Sequence, residues 1–100
     1  MSVLIKADEG EDVPLVVEYI DDNKDPIAPD DTTVDPTITI TDSGGTAVVS
    51  GVLMNELSVG EYEYVWDTDV DGTGPDVYEV RVSADFNAET DIETGTVRVE

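Results

Sequence analysis

The sequence predicts an all-β sandwich. Apolar and polar residues alternate at period two in a series of short runs, clusters of Gly, Pro and Asp separate those runs, and no stretch carries the apolar spacing of an amphipathic helix. One hundred residues allow one modest core and not two, so residues 1–100 are read as a single domain.

The first strand is short. Val3, Ile5 and Ala7 alternate with Leu4 and Lys6 before Asp8, Glu9, Gly10 and Glu11 break the pattern. In "VPLVVEYI", Val13, Leu15, Val17 and Tyr19 recur on one side with Val16 and Ile20 on the other, which predicts a second strand covered on most of both faces. Pro14 places an edge or a bulge near its start. Residues 21–36, "DDNKDPIAPDDTTVDP", form no extended ladder and read as a crossover between two sheets, with a contact surface or a Pro-stiffened connection as its alternative roles. "TITIT" and "AVVS" flank "DSGGT" as a hairpin. In "VGEYEYVW", Tyr62, Tyr64 and Trp66 share one face and Glu61, Glu63 and Val65 the other. "VYEVRVSADF" turns Tyr78, Val80, Val82, Ala84 and Phe86 inward, and the last strand, "TGTVRVE", buries Val97 and Val99. The total is seven to eight strands.

Composition removes most chemistry. There is no Cys and no His, hence no thiolate or imidazole nucleophile, no ordinary zinc site and no disulfide. Paired carboxylates are the catalytic option left, but Glu61 and Glu63 sit on an outward strand face and read as solvated charge, so no catalytic residue is expected. Four cations against 25 acids, a net charge of -21, exclude nucleic acid and anionic membranes as partners. The start, "MSVLIKA", has too short an apolar run for a signal peptide or a membrane span, and the expectation is a complete chain made in the cytoplasm. Scarce lysine beside abundant Asp and Glu is the composition of proteins from salt-loving archaea, where molar salt shortens the screening length to about 3 Å.

The string "DTDVDG" opens like a calcium loop, with Asp67, Asp69 and Asp71 at the first ligand positions and Gly72 at the sharp turn. Its second half fails: Pro75 and Tyr78 stand where the later ligands belong, and strands flank it instead of helices. An EF-hand is excluded, and the expected reading is a solvated acidic turn. Calcium held between strands by Asp67, Asp69, Asp71 and Asp76 is the alternative. No other cofactor is expected. Trp66, Tyr62, Tyr64 and Tyr78 read as core rather than as a ligand platform, because their period-two spacing suits cross-strand packing.

"LSVGEYEY", residues 57–64, resembles the corner before the sixth strand of immunoglobulin-like domains. The resemblance implies an immunoglobulin-like antiparallel β-sandwich in which Gly60 shapes the turn, Tyr62 is the corner tyrosine bonded to upstream backbone, and Tyr64 holds the place of the second disulfide cysteine. With no cysteine pair, an antibody-type domain is excluded. The order "GEDVPLVVEY", "DNKDPI", "TITITDSGGT", "VGEYEYVWDT", "VYEVRVSADF", "ETGTVRV" resembles small immunoglobulin-like structural proteins of haloarchaeal tailed viruses, found in heads, necks and tails. It also resembles immunoglobulin-like modules of prokaryotic secreted or surface-layer proteins. The first resemblance implies a non-enzymatic virion component whose partners are other virion proteins and further copies of itself; the second is the alternative.

Overall fold

A computed structural model describes residues 12–68 and 74–100, together with the backbone of residues 4–7. The described strands, in chain order, are β1 (Leu4–Ala7), β2 (Asp12–Glu18), β3 (Thr37–Thr41), β4 (Ala47–Leu53), β5 (Asn55–Ser58), β6 (Glu61–Asp67), β7 (Asp76–Phe86) and β8 (Glu89–Val99). They form a large sheet, β1-β8-β7-β3-β4, and a small one, β2-β6-β5. The all-β sandwich expected from the alternation is what the chain forms. Every pairing is antiparallel except that of β1, which lies parallel to β8 with Leu4 to Ala7 opposite Thr96 to Val99.

Period two explains the core. Val13 and Leu15 of β2, Ile38 and Ile40 of β3, Tyr62 and Trp66 of β6, Tyr78, Val80, Val82 and Ala84 of β7, and Val97 and Val99 of β8 turn into one cluster between the sheets. Register matches the buried positions: Val13 faces Trp66 and Val17 faces Tyr62 in the small sheet, while Ile38 faces Val82 and Tyr78 faces Val97 in the large one. Trp66 is 0 % exposed at the centre, with its ring 5.1 Å from that of Tyr78 in an edge-to-face arrangement.

Residues 21–36 do cross from the small sheet to the large one, and they are pinned rather than loose. The Asp21 carboxylate accepts the backbone N–H groups of Asn23 and Asp25. The Asp30 carboxylate reaches the β7–β8 turn, accepting from Asn87 N at 2.9 Å and Ala88 N at 2.8 Å. Asn87 and Ala88 have φ of 53° and 63°, the two-residue geometry that matches strand twist in a tight hairpin. Those N–H bonds hold the Asp30 carboxyl below its ordinary range.

Three expectations need correction. Val16 is 53 % exposed, because β2 lies at the edge of a sheet whose outer face is bare; its second face is not covered. The final strand starts at Glu89, since the hairpin with β7 runs its full length despite the acids in "ETDIET". "GVLMNELS" is divided between β4 and β5 at Met54, whose side chain is buried and whose N–H donates to the Pro36 carbonyl at 2.9 Å. The third correction concerns the corner tyrosine. Tyr62 lies in β6, the middle strand of the small sheet, and its hydroxyl donates to the Glu56 side chain at 3.2 Å rather than to backbone. A bond from a tyrosine to upstream backbone is made instead by Tyr78, at the entry to β7, whose hydroxyl donates to the Gly74 carbonyl, four residues upstream, at 2.7 Å.

A tight turn between β5 and β6 produced the misleading spacing. Gly60 there has φ of 80°, and a Cβ on it would lie 2.7 Å from the Tyr19 carbonyl and 2.9 Å from that of Ile27. Its own carbonyl accepts the Tyr19 N–H at 2.7 Å. Glycine is required by that close approach as well as by φ.

Candidate assembly surfaces

The two outer faces of the sandwich differ in charge. On the small sheet, Asp12 and Glu18 of β2 and Glu61, Glu63 and Asp67 of β6 alternate with the inward residues, and no cation stands among them. Register places Asp12 directly opposite Asp67 and Glu18 opposite Glu61. Like charges in cross-strand pairs repel. The Glu61 carboxyl is raised above the usual range by a hydrogen bond shared with Glu18, then by partial desolvation and the Glu18 charge. Pro14, Val16 and Val65 form an apolar strip between these acids.

On the large sheet the outward positions carry hydroxyls and balanced charge. One row runs Leu53, Thr37, Ser83, Ile92; the next holds Thr39, Arg81 and Thr94; the next Ala47, Thr41, Glu79 and Thr96. Val77 and Arg98 pair beyond them, and Asp85 pairs with Thr90, whose hydroxyl donates to it at 2.7 Å. Arg81 and Arg98 against Glu79 and Asp85 leave these strand positions with no formal charge, in a chain of net charge -21. Arg98 also approaches Glu100, Nε to Oε1 at 3.7 Å. Val77, Ile92 and Leu53 are exposed large apolar side chains on this face.

Of the four calcium candidates, Asp67 and Asp76 lie among the described residues. Asp67 ends β6 opposite Asp12, while Asp69 and Asp71 lie outside the described residues. Asp76 is committed elsewhere: it accepts from the Ser43 hydroxyl at 2.9 Å and from Val77 N at 2.8 Å, tying the β3–β4 turn to β7. Those donors, Ser43 first, lower its carboxyl below the ordinary range. No group of three or more acids placed to hold a metal ion occurs among the described residues.

Gly60 and Tyr62 pack against Tyr19, whereas Trp66, four residues further along β6, packs against Tyr78. The Trp66 Nε1–H and the Tyr19 hydroxyl find no acceptor among the described residues. Burial pushes the Tyr19 hydroxyl well up, aided by the charges of Asp91, Glu93 and Asp35. Asp35 is itself raised by desolvation and by its neighbour Asp85. The neutral sheet face was missed by sequence reading, although alternation in "VYEVRVSADF" and "TGTVRVE" already sets Arg81 and Arg98 outward. The missing step was the register that joins those strands to the threonines of β3. No family model, curated protein or solved structure matches the chain.

Proposed function

We propose that this protein is a non-enzymatic structural component of the virion of a halophilic archaeal tailed virus, and that it assembles through the outer face of its large sheet. The observation that carries the reading is the neutral, threonine-rich face itself. Bringing two surfaces of one highly charged protein together costs least where their local charge vanishes, and a face with both signs can pair Arg81 of one copy with Glu79 of another. Extents of 39 × 21 × 20 Å give a broad face of about 800 Å², the area one partner contributes to a standard interface. The five carboxylates of the opposite face point away from that contact, and molar salt screens them.

The strand order supports an immunoglobulin-like reading. β2-β6-β5 corresponds to strands B-E-D of such sandwiches and β4-β3-β7-β8 to C′-C-F-G, with the Tyr78 bond to upstream backbone at the start of the F position. Mass spectrometry of purified, salt-stable particles tests the assignment: the protein is expected among their stoichiometric components. Its recovery instead as a segment of a secreted or surface-layer chain would replace the virion with that setting.

A further inference from the structure

β4 is the outermost strand of the large sheet, and among the described residues it pairs with β3 alone. Both of its flanks are described, and Ser50, Gly51, Val52 and Leu53 are all exposed. Val52 is the informative one. It stands opposite Ile38, which is 0 % exposed in the core, yet it is itself 41 % exposed, because its position opens onto the side of the sandwich. Leu57 of β5, an edge strand joined to β4 through Met54, is exposed on the same side. Residues 43–55 carry no charge, the longest such run in a chain in which 29% of residues are charged. Edge strands are ordinarily guarded by charge, lysine above all, or by proline, and β4 has neither. Its guard is irregular register. Ser50 and Gly51 both fall opposite Thr39, between the pairs Ile40–Val49 and Ile38–Val52, and Gly51 donates its N–H to the Thr39 hydroxyl at 3.1 Å.

We infer that the edge of β4 pairs antiparallel with the same edge of a second copy, continuing the large sheet of one protomer into that of the next. Charge selects the occupant. Each copy carries -21, so copies repel where acids meet, whereas two β4 edges come together without bringing any charge, and antiparallel pairing about a two-fold axis is self-complementary. The inference rests on assembly through the outer face of the large sheet, for a reason of size: a strand interrupted by a bulge buries too little to hold two copies by itself. Symmetry supplies the second contact. A two-fold axis along the strands keeps every residue in its own row and never brings Arg81 of one copy to Glu79 of the other. An axis across the strands does, and it leaves both β4 edges on the same side of the face-to-face pair. Two such pairs therefore join through two β4 contacts at once, each raising the effective concentration of the other, and the set closes as a dihedral tetramer.

The test is the absolute mass of the whole chain in molar KCl, with far-UV circular dichroism as the check on folding. The wild type is expected to be a tetramer, Val52→Lys and Ser50→Lys dimers, and Arg81→Glu a monomer. Either lysine sets like charges across the two-fold axis; Ser50→Lys, at an exposed position, decides the matter if Val52→Lys does not fold. Hydrogen exchange of amides within 47–53 is expected to be at least tenfold slower in the wild type than in Arg81→Glu. Undiminished mass in the folded β4 variants, or a wild-type dimer that only Arg81→Glu takes apart, overturns the edge contact and leaves the face reading standing. A wild-type dimer that only the β4 variants take apart supports the edge contact and overturns the face reading.

Discussion

Replacing Trp66 by alanine and by phenylalanine separates two contributions at the centre of the core. The side chain is fully buried, between Val13 across the strand pair and the ring of Tyr78. A buried Trp removes about 150–250 Å² from water, which at roughly 25 cal/mol per Å² is about 4–6 kcal/mol as an upper estimate. Truncation to alanine leaves a cavity, and the expected loss is about 3–5 kcal/mol. That is a fifth or more of the stability of a typical domain, about 5–15 kcal/mol, and at this size it lowers Tm by at least about 12 °C. Phenylalanine behaves differently. It gives up part of the ring contact but also removes an indole N–H that has no acceptor among the described residues, and an unsatisfied buried donor costs about 1–3 kcal/mol. Trp66→Phe should therefore cost under about 1.5 kcal/mol. Far-UV circular dichroism during urea unfolding in molar KCl measures both variants. A loss below about 1 kcal/mol for Trp66→Ala, or equal losses for the two, would refute this account of the core.

Three further outcomes are expected. Gly60→Ala should destabilise by about 2–4 kcal/mol, since its Cβ meets backbone carbonyls at a positive φ, and thermal unfolding checks it. Ala88→Gly should stabilise by about 0.5–1 kcal/mol in the same assay, because relief of left-handed strain at φ 63° exceeds the entropy cost of glycine. Stability measured against pH should pass through a maximum. Asp35 and Glu61 are raised in the folded state, so their contribution is full below the ordinary carboxyl range and is lost as pH rises through their folded values; Asp30, Asp31 and Asp76 are lowered, so theirs is present above that range and is lost as pH falls through their folded values. Acidification from neutral to about pH 4.5 should raise Tm, and going below about pH 3.5 should lower it; a monotonic profile would contradict these assignments.

Much of the fold was legible because it rests on local pattern. Alternation marked β2, β3, β6 and β7, Pro14 marked an edge, and "DSGGT" marked a hairpin turn. What failed needed distant partners. Val16 looks buried by composition, and it is bare because no described residue is layered over the small sheet. A bond to upstream backbone was expected of Tyr62 from its Gly-x-Tyr spacing, yet Tyr62 donates to Glu56 and it is Tyr78 that reaches upstream backbone, at the Gly74 carbonyl. The candidate surface was legible only in part for the same reason. Strand faces follow from alternation, whereas neutral charge over four strands follows from register, which brings threonines 37, 39 and 41 beside Arg81 and Glu79. The calcium question turns on Asp69 and Asp71, which lie outside the described residues.

The most direct test of assembly through the large sheet is the absolute mass in solution, measured by light scattering in molar KCl for the wild type, Arg81→Glu and Glu63→Lys. Arg81→Glu places a carboxylate at the centre of the neutral face, while Glu63→Lys changes the opposite one. The wild type and Glu63→Lys are expected to share one oligomeric mass and Arg81→Glu to be a monomer. A monomeric wild type, or an Arg81→Glu variant of undiminished mass, would contradict the account.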